Sequence, residues 1–270
     1  MFDQTSPADP KDGFDLMQFQ AGGRVGLGAW IATPPDADPS LPPLVAVHGI
    51  RRGAQAQAAA LVRFAAMSGR TVIAPHFTER QWPQYQQVVR KGRADMALLN
   101  LLQEIEIAGI CQTSQFALSG YSGGAQFAHR FTMLYPHRVA RLGLISAGWY
   151  TFPDPAPFPF GLAAPSKPLK GWRPRLLADM RAFLRTPIRV LIGELDDVVD
   201  DTTRSGPDID QRQGQTRRER ARRWVEAIRQ AAADAGETAD ISLTELPGCG
   251  HDFIACVASP EARRPLLDLA

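Results

Sequence analysis

The sequence predicts an α/β protein with one mostly parallel sheet of about eight strands and helices on both faces. Six short apolar runs are separated by longer segments with helical periodicity, and they lie at residues 44–47, 71–74, 116–118, 142–145, 188–192 and 241–244. This alternation is typical of βαβ units, in which successive strands run parallel. The 270 residues are enough to bury one substantial core, so we expect a single domain over residues 14–270.

The segment before the first of these runs has weaker strand signals. Apolar residues at 16–19 and at 25–31 predict an antiparallel hairpin at the sheet edge, because antiparallel edges commonly extend parallel sheets. Residues 1–13 hold acidic, Pro and Ser residues but no basic stretch followed by an apolar run. We therefore expect them to form a flexible segment and not a secretory signal.

Two helices are predicted from an apolar face. Apolar residues recur at helical spacing between 94 and 105, and again between 221 and 232. In the second helix Thr216 and Glu219 fit a capping box, and Gly236 fits the C-terminal stop. This helix also carries Arg217, Arg218, Arg220, Arg222 and Arg223. No aromatic residues interleave with these charges for base stacking, so we interpret them as a solvated outer face and expect no nucleic-acid partner.

Two segments are predicted to be irregular. Proline recurs among aromatic residues from 149 to 170, which excludes a long helix or a central strand there. We expect an irregular excursion at about 149–186 that ends in a short helix near 174–184. Residues 200–215 are polar and are expected to form a surface loop.

Composition excludes several classes of protein. The 30 Lys and Arg nearly balance the 28 Asp and Glu, so no global field attracts nucleic acid or an anionic membrane. No stretch approaches the roughly 18 apolar residues of a membrane helix, so we expect no membrane span. The three cysteines are odd in number and lack metal-ligand spacing, which predicts free thiols and a cytoplasmic protein.

A glycine-flanked serine carries the strongest chemical signal. Residues 120–124, Gly-Tyr-Ser-Gly-Gly, match G-x-S-x-G and lie between a predicted strand and a helical pattern. A sharp strand-to-helix turn exposes its central residue at the carboxyl edge of the sheet, and the helix start offers unpaired N–H groups to an oxyanion. We therefore predict that Ser122 is a nucleophile, and we expect its neighbour Tyr121 to contact the substrate.

A serine hydroxyl is a weak nucleophile unless a base removes its proton. Among the five histidines, His251 lies in a glycine-flanked turn after the last strand, where a loop can bring an imidazole to the site. His76 comes before the serine motif, and His129 and His137 lie within or just after the helix that follows it. We therefore predict that His251 is the general base.

An imidazolium that forms in a buried site needs a carboxylate to orient it and stabilise its charge. The turn after the run at 188–192 offers Glu194, Asp196 and Asp197. We predict that Asp196 has this role, with Asp197 as the alternative. The acidic residues at 196–201 lack the spacing and the glycine of an EF-hand, so we expect no metal, and the predicted chemistry needs no cofactor.

Four motifs together resemble the α/β-hydrolase superfamily of serine hydrolases, which includes esterases and lipases. They are His48-Gly49 after the third strand, the elbow at 120–124, the G-x-x-D turn at 193–196 and Gly250-His251. The resemblance extends from about residue 14 to the end and implies a three-layer α/β-hydrolase fold. The order of serine, acid and histidine is the one expected for this fold.

The resemblance also implies an oxyanion hole made by the backbone N–H groups of Gly123 and Ile50. Many lipases and esterases have an HGGG-type loop, whereas this chain has His48-Gly49-Ile50-Arg51-Arg52, so Arg51 is the alternative second donor. His48 is expected to be structural. The two arginines are expected either to attract a substrate carboxylate or to be solvated.

The family often has a lid where the excursion at 149–186 falls. Trp149 and Tyr150, at its start, are then expected to bind substrate. The alternative is that these aromatic residues form a satellite core on the sheet.

The sequence therefore predicts a serine hydrolase that cleaves a small-molecule carboxylic ester through an acyl-enzyme on Ser122. A thioesterase or a peptidase would use the same three side chains. A binding protein with this fold and no turnover is the alternative from another class, because a fold alone does not determine function. No oligomeric state is predicted.

Overall fold

One mostly parallel sheet forms the centre of the protein, as predicted. The computed structural model describes residues 14–23, 26–163 and 179–269. The strands in these ranges are Asp15–Gln20 (β1), Gly28–Thr33 (β2), Leu44–Val47 (β3), Val72–His76 (β4), Phe116–Tyr121 (β5), Val139–Ile145 (β6), Ile188–Gly193 (β7) and Ile241–Leu246 (β8). They form one eight-stranded sheet in the order β1-β2-β4-β3-β5-β6-β7-β8.

The first two strands form the antiparallel edge that the weak signals predicted. β1 pairs with β2, and β2 pairs with β4, both in antiparallel orientation. The remaining neighbours, from β4 through β3 and β5 to β8, pair in parallel. The carboxyl ends of β3, β5, β7 and β8 therefore meet at one edge of the sheet, where ligands bind in open α/β folds.

Helices cover both faces of the sheet. They are Ala54–Ser68 (α1), Ala94–Ile107 (α2), Gly123–Leu134 (α3), Met180–Arg185 (α4), Pro207–Gln213 (α5), Arg217–Asp234 (α6), Phe253–Ala258 (α7) and Pro260–Leu269 (α8). Buried side chains of α2, α3 and α6 belong to one apolar core, and those of α1, α7 and α8 belong to another. The three-layer α/β architecture is therefore confirmed.

Strand β3 shows why the sheet is buried on both sides. Its four side chains alternate between the two cores, with Val45 and Val47 on one side and Leu44 and Ala46 on the other. All four are buried, which is the pattern expected for a parallel strand with helices on both faces.

The polar stretch that was predicted to be a loop contains a helix, so that prediction was wrong for α5. Pro207 lies in the first turn of α5, and the negative charges of Asp208 and Asp210 interact favourably with the positive end of the helix dipole. Ile209 is buried. Gln213 is also buried and bonds both backbone groups of Tyr150, at 2.9 Å and 2.8 Å. The missed signal was the proline at a helix start followed by acidic residues.

Several predictions fall on residues outside the described ranges. These are the flexible segment at 1–13, residues 164–178 of the excursion and the first part of the helix expected near 174–184. The end of that predicted helix coincides with α4 at Met180–Arg185. None of the helices in the described ranges is both long and apolar enough to cross a membrane.

Candidate active site

Ser122 lies at a sharp turn between β5 and α3. Its φ of 52° and ψ of −112° are uncommon for a residue with a side chain, and such strained conformations cluster at functional sites. Two backbone bonds hold the turn: the Ser122 N–H donates to the Ile145 carbonyl of β6 at 2.8 Å, and its carbonyl accepts from the Gln126 N–H at 3.2 Å. The serine is 9% exposed and lines a cleft.

The two outer glycines of the motif are required by close packing at this turn. A Cβ at Gly120 would collide with the carbonyl oxygen of Gly124. A Cβ at Gly124 would collide with the carbonyl oxygen of Val47 at the end of β3. Glycine at the two outer positions of G-x-S-x-G therefore allows β5 to pack closely against the start of α3, and α3 to pack closely against the end of β3.

His251 lies beside Ser122 on the loop between β8 and α7. Its Nε2 is 3.1 Å from the Ser122 Oγ, which is hydrogen-bonding distance. The ring of Tyr121 stacks on the imidazole, with centroids 5.2 Å apart and planes inclined by 29°. Tyr121 also lines the cleft, so it lies where a substrate contact was predicted and it supports the histidine as well.

Asp196 contacts the other ring nitrogen of His251. Its Oδ2 is 2.8 Å from Nδ1, and the residue is only 1% exposed. Asp197 is instead 51% exposed, with its carboxylate 3.9 Å from Arg218. Glu194 accepts a hydrogen bond from the Gly248 N–H at 3.1 Å. Of the three acidic residues offered by the turn, Asp196 is the one that the structure brings to the imidazole.

Backbone bonds fasten the acid turn to the histidine loop. The Glu194 N–H donates to the Leu246 carbonyl at 2.9 Å, and the Leu195 N–H donates to the Cys249 carbonyl at 2.8 Å. Because β7 and β8 are parallel neighbours, both loops leave the same edge of the sheet. These backbone contacts therefore bring the acid turn and the histidine loop next to each other.

Two other histidines are buried in structural roles. His48 bonds the Gly49 carbonyl through Nδ1 at 2.8 Å and accepts from the Phe77 N–H through Nε2 at 3.0 Å, and burial lowers its pKa to about 4. Burial likewise lowers the pKa of His129, which accepts from the Thr151 N–H at 2.9 Å. Both rings are therefore neutral. In the described ranges no cluster of three or more His, Cys, Asp or Glu side chains is arranged to hold a metal ion.

The two predicted oxyanion donors are neighbours. The backbone nitrogen of Ile50 is 3.5 Å from the point where a Cβ of Gly123 would lie. Among the described residues, neither the Ile50 N–H nor the Gly123 N–H has an intramolecular acceptor. Ile50 lies in a turn closed by the bond from the Arg52 N–H to the Gly49 carbonyl at 2.9 Å. This geometry favours Ile50 over Arg51 as the second donor.

A cleft of about 440 Å³ opens above the serine. Ile50 and Ile254 expose apolar surface in its lining, and Arg51 and Asp200 bring charge to it. Arg52 also lines the cleft, but its guanidinium donates to the Phe77 carbonyl, so it does not point freely into solvent as the sequence suggested. A role of Arg51 in substrate binding stays a prediction.

Trp149 and Tyr150 are not among the described residues that line the cleft. The Tyr150 ring stacks on Trp224 of α6, with centroids 4.8 Å apart. The Trp149 ring lies under the guanidinium of Arg130, 4.2 Å from its centroid. Both side chains are buried, which favours the alternative of a satellite core, and a role of Trp149 and Tyr150 in substrate binding stays a prediction.

The arginines of α6 do not form one solvated face, and this prediction was wrong for two of them. Arg217 is 2% exposed and contacts Asp196, while Arg220 is fully buried and pairs with Asp210 at 3.0 Å. Each lies four residues before a member of the apolar stripe: Arg217 before Ala221, and Arg220 before Trp224. Their position on this buried face was the signal in the sequence that was missed.

Several solved structures resemble this one over most of the chain. Poly(aspartic acid) hydrolase-1 from Sphingomonas sp. KT-1 is 22% identical in sequence, with a TM-score of 0.78. The aligned region covers 94% of this chain and 98% of that chain. LpqC, a poly(3-hydroxybutyrate) depolymerase from Bordetella parapertussis, is 27% identical, with a TM-score of 0.73, covering 90% and 88%.

A third neighbour is more distant. The S-formylglutathione hydrolase from Agrobacterium tumefaciens is 13% identical, with a TM-score of 0.57, covering 95% of each chain. No protein-family model and no curated protein sequence matches the chain. The structural likeness therefore carries the comparison, and the three neighbours are all hydrolases.

The packing around the elbow leads to a stability test. We expect Gly124→Ala to destabilise the protein by about 3 kcal/mol or more, because the new methyl group must displace the end of β3. Gly53→Ala is the matched control, since a Cβ there has nothing within 4 Å. Urea denaturation of both variants measures the effect. Equal stability of the two would show that the turn at Ser122 does not pack as described.

Proposed function

We propose that this chain, which has the α/β-hydrolase fold, is a serine hydrolase that cleaves carboxylic esters. Ser122 is the nucleophile, His251 the general base and Asp196 the acid that orients the base. The observation that carries the proposal is the continuous relay from Ser122 Oγ to His251 Nε2 at 3.1 Å and from His251 Nδ1 to Asp196 Oδ2 at 2.8 Å. Hydrolases among the structural neighbours support the same class of activity.

In the first half of the proposed reaction, neutral His251 accepts the Ser122 proton on Nε2 while Oγ bonds to the ester carbonyl carbon. The carbonyl electron pair moves to its oxygen, and the oxyanion accepts hydrogen bonds from the N–H groups of Gly123 and Ile50. One such donor contributes on the order of 3 kcal/mol to the transition state. The carbonyl reforms, the alkoxide leaves and takes the proton from His251, and Ser122 is left acylated.

In the second half, water replaces the alcohol. His251 accepts a proton from the water while the water oxygen attacks the acyl carbon. The N–H groups of Gly123 and Ile50 stabilise the second oxyanion. Collapse of this intermediate breaks the bond to Ser122 Oγ, which recovers its proton from His251. Asp196 stays ionised throughout and stabilises the imidazolium that forms in each half.

An ester substrate is favoured by the cleft and by one neighbour. Ile50 and Ile254 give the cleft apolar surface beside the serine. The neighbour with 27% identity is a depolymerase of poly(3-hydroxybutyrate), which is a polyester. A panel of acyl esters, acyl thioesters and short peptides separates this proposal from a thioesterase or a peptidase.

The three cysteines are free and buried, in keeping with a reducing, cytoplasmic compartment.

Removal of the nucleophile is the first functional test. We expect Ser122→Ala to abolish ester hydrolysis and labelling by a fluorophosphonate while Tm stays within a few degrees, since the hydroxyl contributes little packing. Ser119→Ala on the same strand is the control, because its buried hydroxyl has no hydrogen-bond partner. Turnover by Ser122→Ala above about 10% of the wild-type rate would place the nucleophile elsewhere.

The second test separates the two neighbouring carboxylates. We expect Asp196→Asn to lower kcat by about three to four orders of magnitude, because the amide no longer holds the imidazole in the required tautomer. Asp197→Asn, at a half-exposed carboxylate that does not contact His251, should change kcat less than about threefold. Steady-state kinetics on one ester measures both. A larger loss of kcat in Asp197→Asn than in Asp196→Asn would show that Asp197, and not Asp196, is the acid.

The third test is the pH dependence. Because His251 must be neutral to accept the serine proton, kcat/KM should rise with pH along a single acidic limb. Activity should therefore be lost in acid and reach a plateau in mild base. A rate that is constant from about pH 5 to 9, measured where chemistry limits turnover, would exclude an imidazole base.

A further inference from the structure

We propose that Arg217 is a positioning residue for the acid of this site: it holds the Asp196 carboxylate towards His251, and its charge sets the pH range in which His251 acts as a base. The inference rests on the proposed function, since it assigns Arg217 a part in the same relay. Arg217 is the first residue of α6 and is 2% exposed, so its guanidinium is a buried cation at the back of the site.

The two oxygens of Asp196 have different partners. Oδ2 accepts from His251 Nδ1 at 2.8 Å, and Oδ1 accepts from Arg217 Nη1 at 3.2 Å. With both oxygens bonded, the plane of the carboxylate is defined. The backbone assists, because the Arg218 N–H donates to the Asp196 carbonyl at 3.3 Å. The amino end of α6 therefore binds both the side chain and the main chain of the acid.

The other arm of the guanidinium reaches the wall of the cleft. Arg217 Nη2 donates to Asp200 Oδ1 at 3.0 Å and to Thr202 Oγ1 at 2.7 Å, and both of these residues line the cleft. Burial opposes ionisation of Asp200, but hydrogen bonds from Thr202, Arg217 and Thr203 outweigh it and lower the pKa of the carboxyl. Arg217 therefore bridges two carboxylates, one in the relay and one in the wall.

The charge of Arg217 has a defined effect on the relay. A cation behind Asp196 opposes the uptake of a proton by the imidazole and carboxylate pair, and its removal would leave two carboxylates that both favour that proton. The other ionisable groups near the pair come from β5, from the start of the excursion, from the acid turn, and from α7 and its N-cap: Tyr121, Tyr150, Asp197, Asp252 and Cys256. None of these five groups is a cation. Arg218 is a second cation near the acid turn, but its guanidinium pairs with Glu245 at 2.8 Å and lies 3.9 Å from Asp197.

The positioning role and the charge role can be separated by two substitutions. Arg217→Met removes the charge and all three side-chain hydrogen bonds, to Asp196, Asp200 and Thr202, but keeps an unbranched apolar stem. Arg217→Lys keeps the charge, but a single ammonium on a flexible stem cannot reproduce the planar fork that spans Asp196 and Asp200. Arg222→Met is the matched control, because Arg222 lies on the same helix, is 53% exposed and pairs with Glu245.

The experiment measures kcat and kcat/KM against pH for an uncharged ester, together with an NMR titration of the ¹⁵N-labelled His251 ring, assigned by its absence in His251→Gln. For Arg217→Met we expect the acidic limb and the NMR midpoint to move up by about one pH unit. We also expect kcat to fall about tenfold or more with KM nearly unchanged. Arg217→Lys should keep the wild-type pH dependence but show the loss in kcat, and Arg222→Met should match the wild type.

A different outcome overturns the inference. It fails if folded Arg217→Met has the wild-type pH limb and NMR midpoint, or if its kcat matches that of Arg222→Met. If Arg217→Met does not fold, as judged by circular dichroism and Tm, Arg217→Lys decides, and a wild-type kcat in that variant excludes the positioning role. Absence of hydrolysis and of fluorophosphonate labelling in the wild type would refute the proposed function instead, whereas the NMR titration reports on Arg217 without turnover.

Discussion

The buried negative charge of Asp196 is the constraint on which the site depends. Removing a carboxylate from water costs on the order of several kcal/mol, so its neighbours must compensate with hydrogen bonds and opposite charge. Here His251, Arg217 and the amino end of α6 surround it. Three separate parts of the chain, the loops after β7 and β8 and the start of α6, therefore have to meet at one carboxylate. Loss of any one partner would leave the charge poorly satisfied.

The second constraint is steric and concerns the turn at Ser122. The parallel sheet brings the carboxyl ends of β3 and β5 together, and the turn fits only because Gly124 lets α3 begin against the end of β3. The same close packing places the Gly123 N–H beside the Ile50 N–H. The neighbouring residues therefore hold the strained backbone of Ser122 in place. In this conformation its hydroxyl faces the cleft and lies within hydrogen-bonding distance of His251.

The sequence predicted the sheet, its antiparallel edge and the three side chains of the relay, because strand ends in a parallel sheet converge and each of these residues follows a strand. It did not predict which way Arg217 points, since the rotation of α6 against the sheet is set by tertiary packing. The same kind of packing decides between the two expectations for Trp149 and Tyr150, substrate binding or a satellite core, and Tyr150 stacks on Trp224 of α6. The helix at Pro207–Gln213 was missed although its proline and acidic residues are a local helix-start signal.

Covalent acylation of Ser122 can be observed directly by trapping the acyl-enzyme. The protein is mixed with p-nitrophenyl acetate, quenched in acid during steady-state turnover, and analysed by intact mass spectrometry and peptide mapping. We expect one acetyl group per acylated chain, located on the peptide that contains Ser122. An acetyl group on another residue would contradict the role of Ser122. So would rapid cleavage of an ester with a bulky, slowly hydrolysed acyl group if no acylated peptide accumulated.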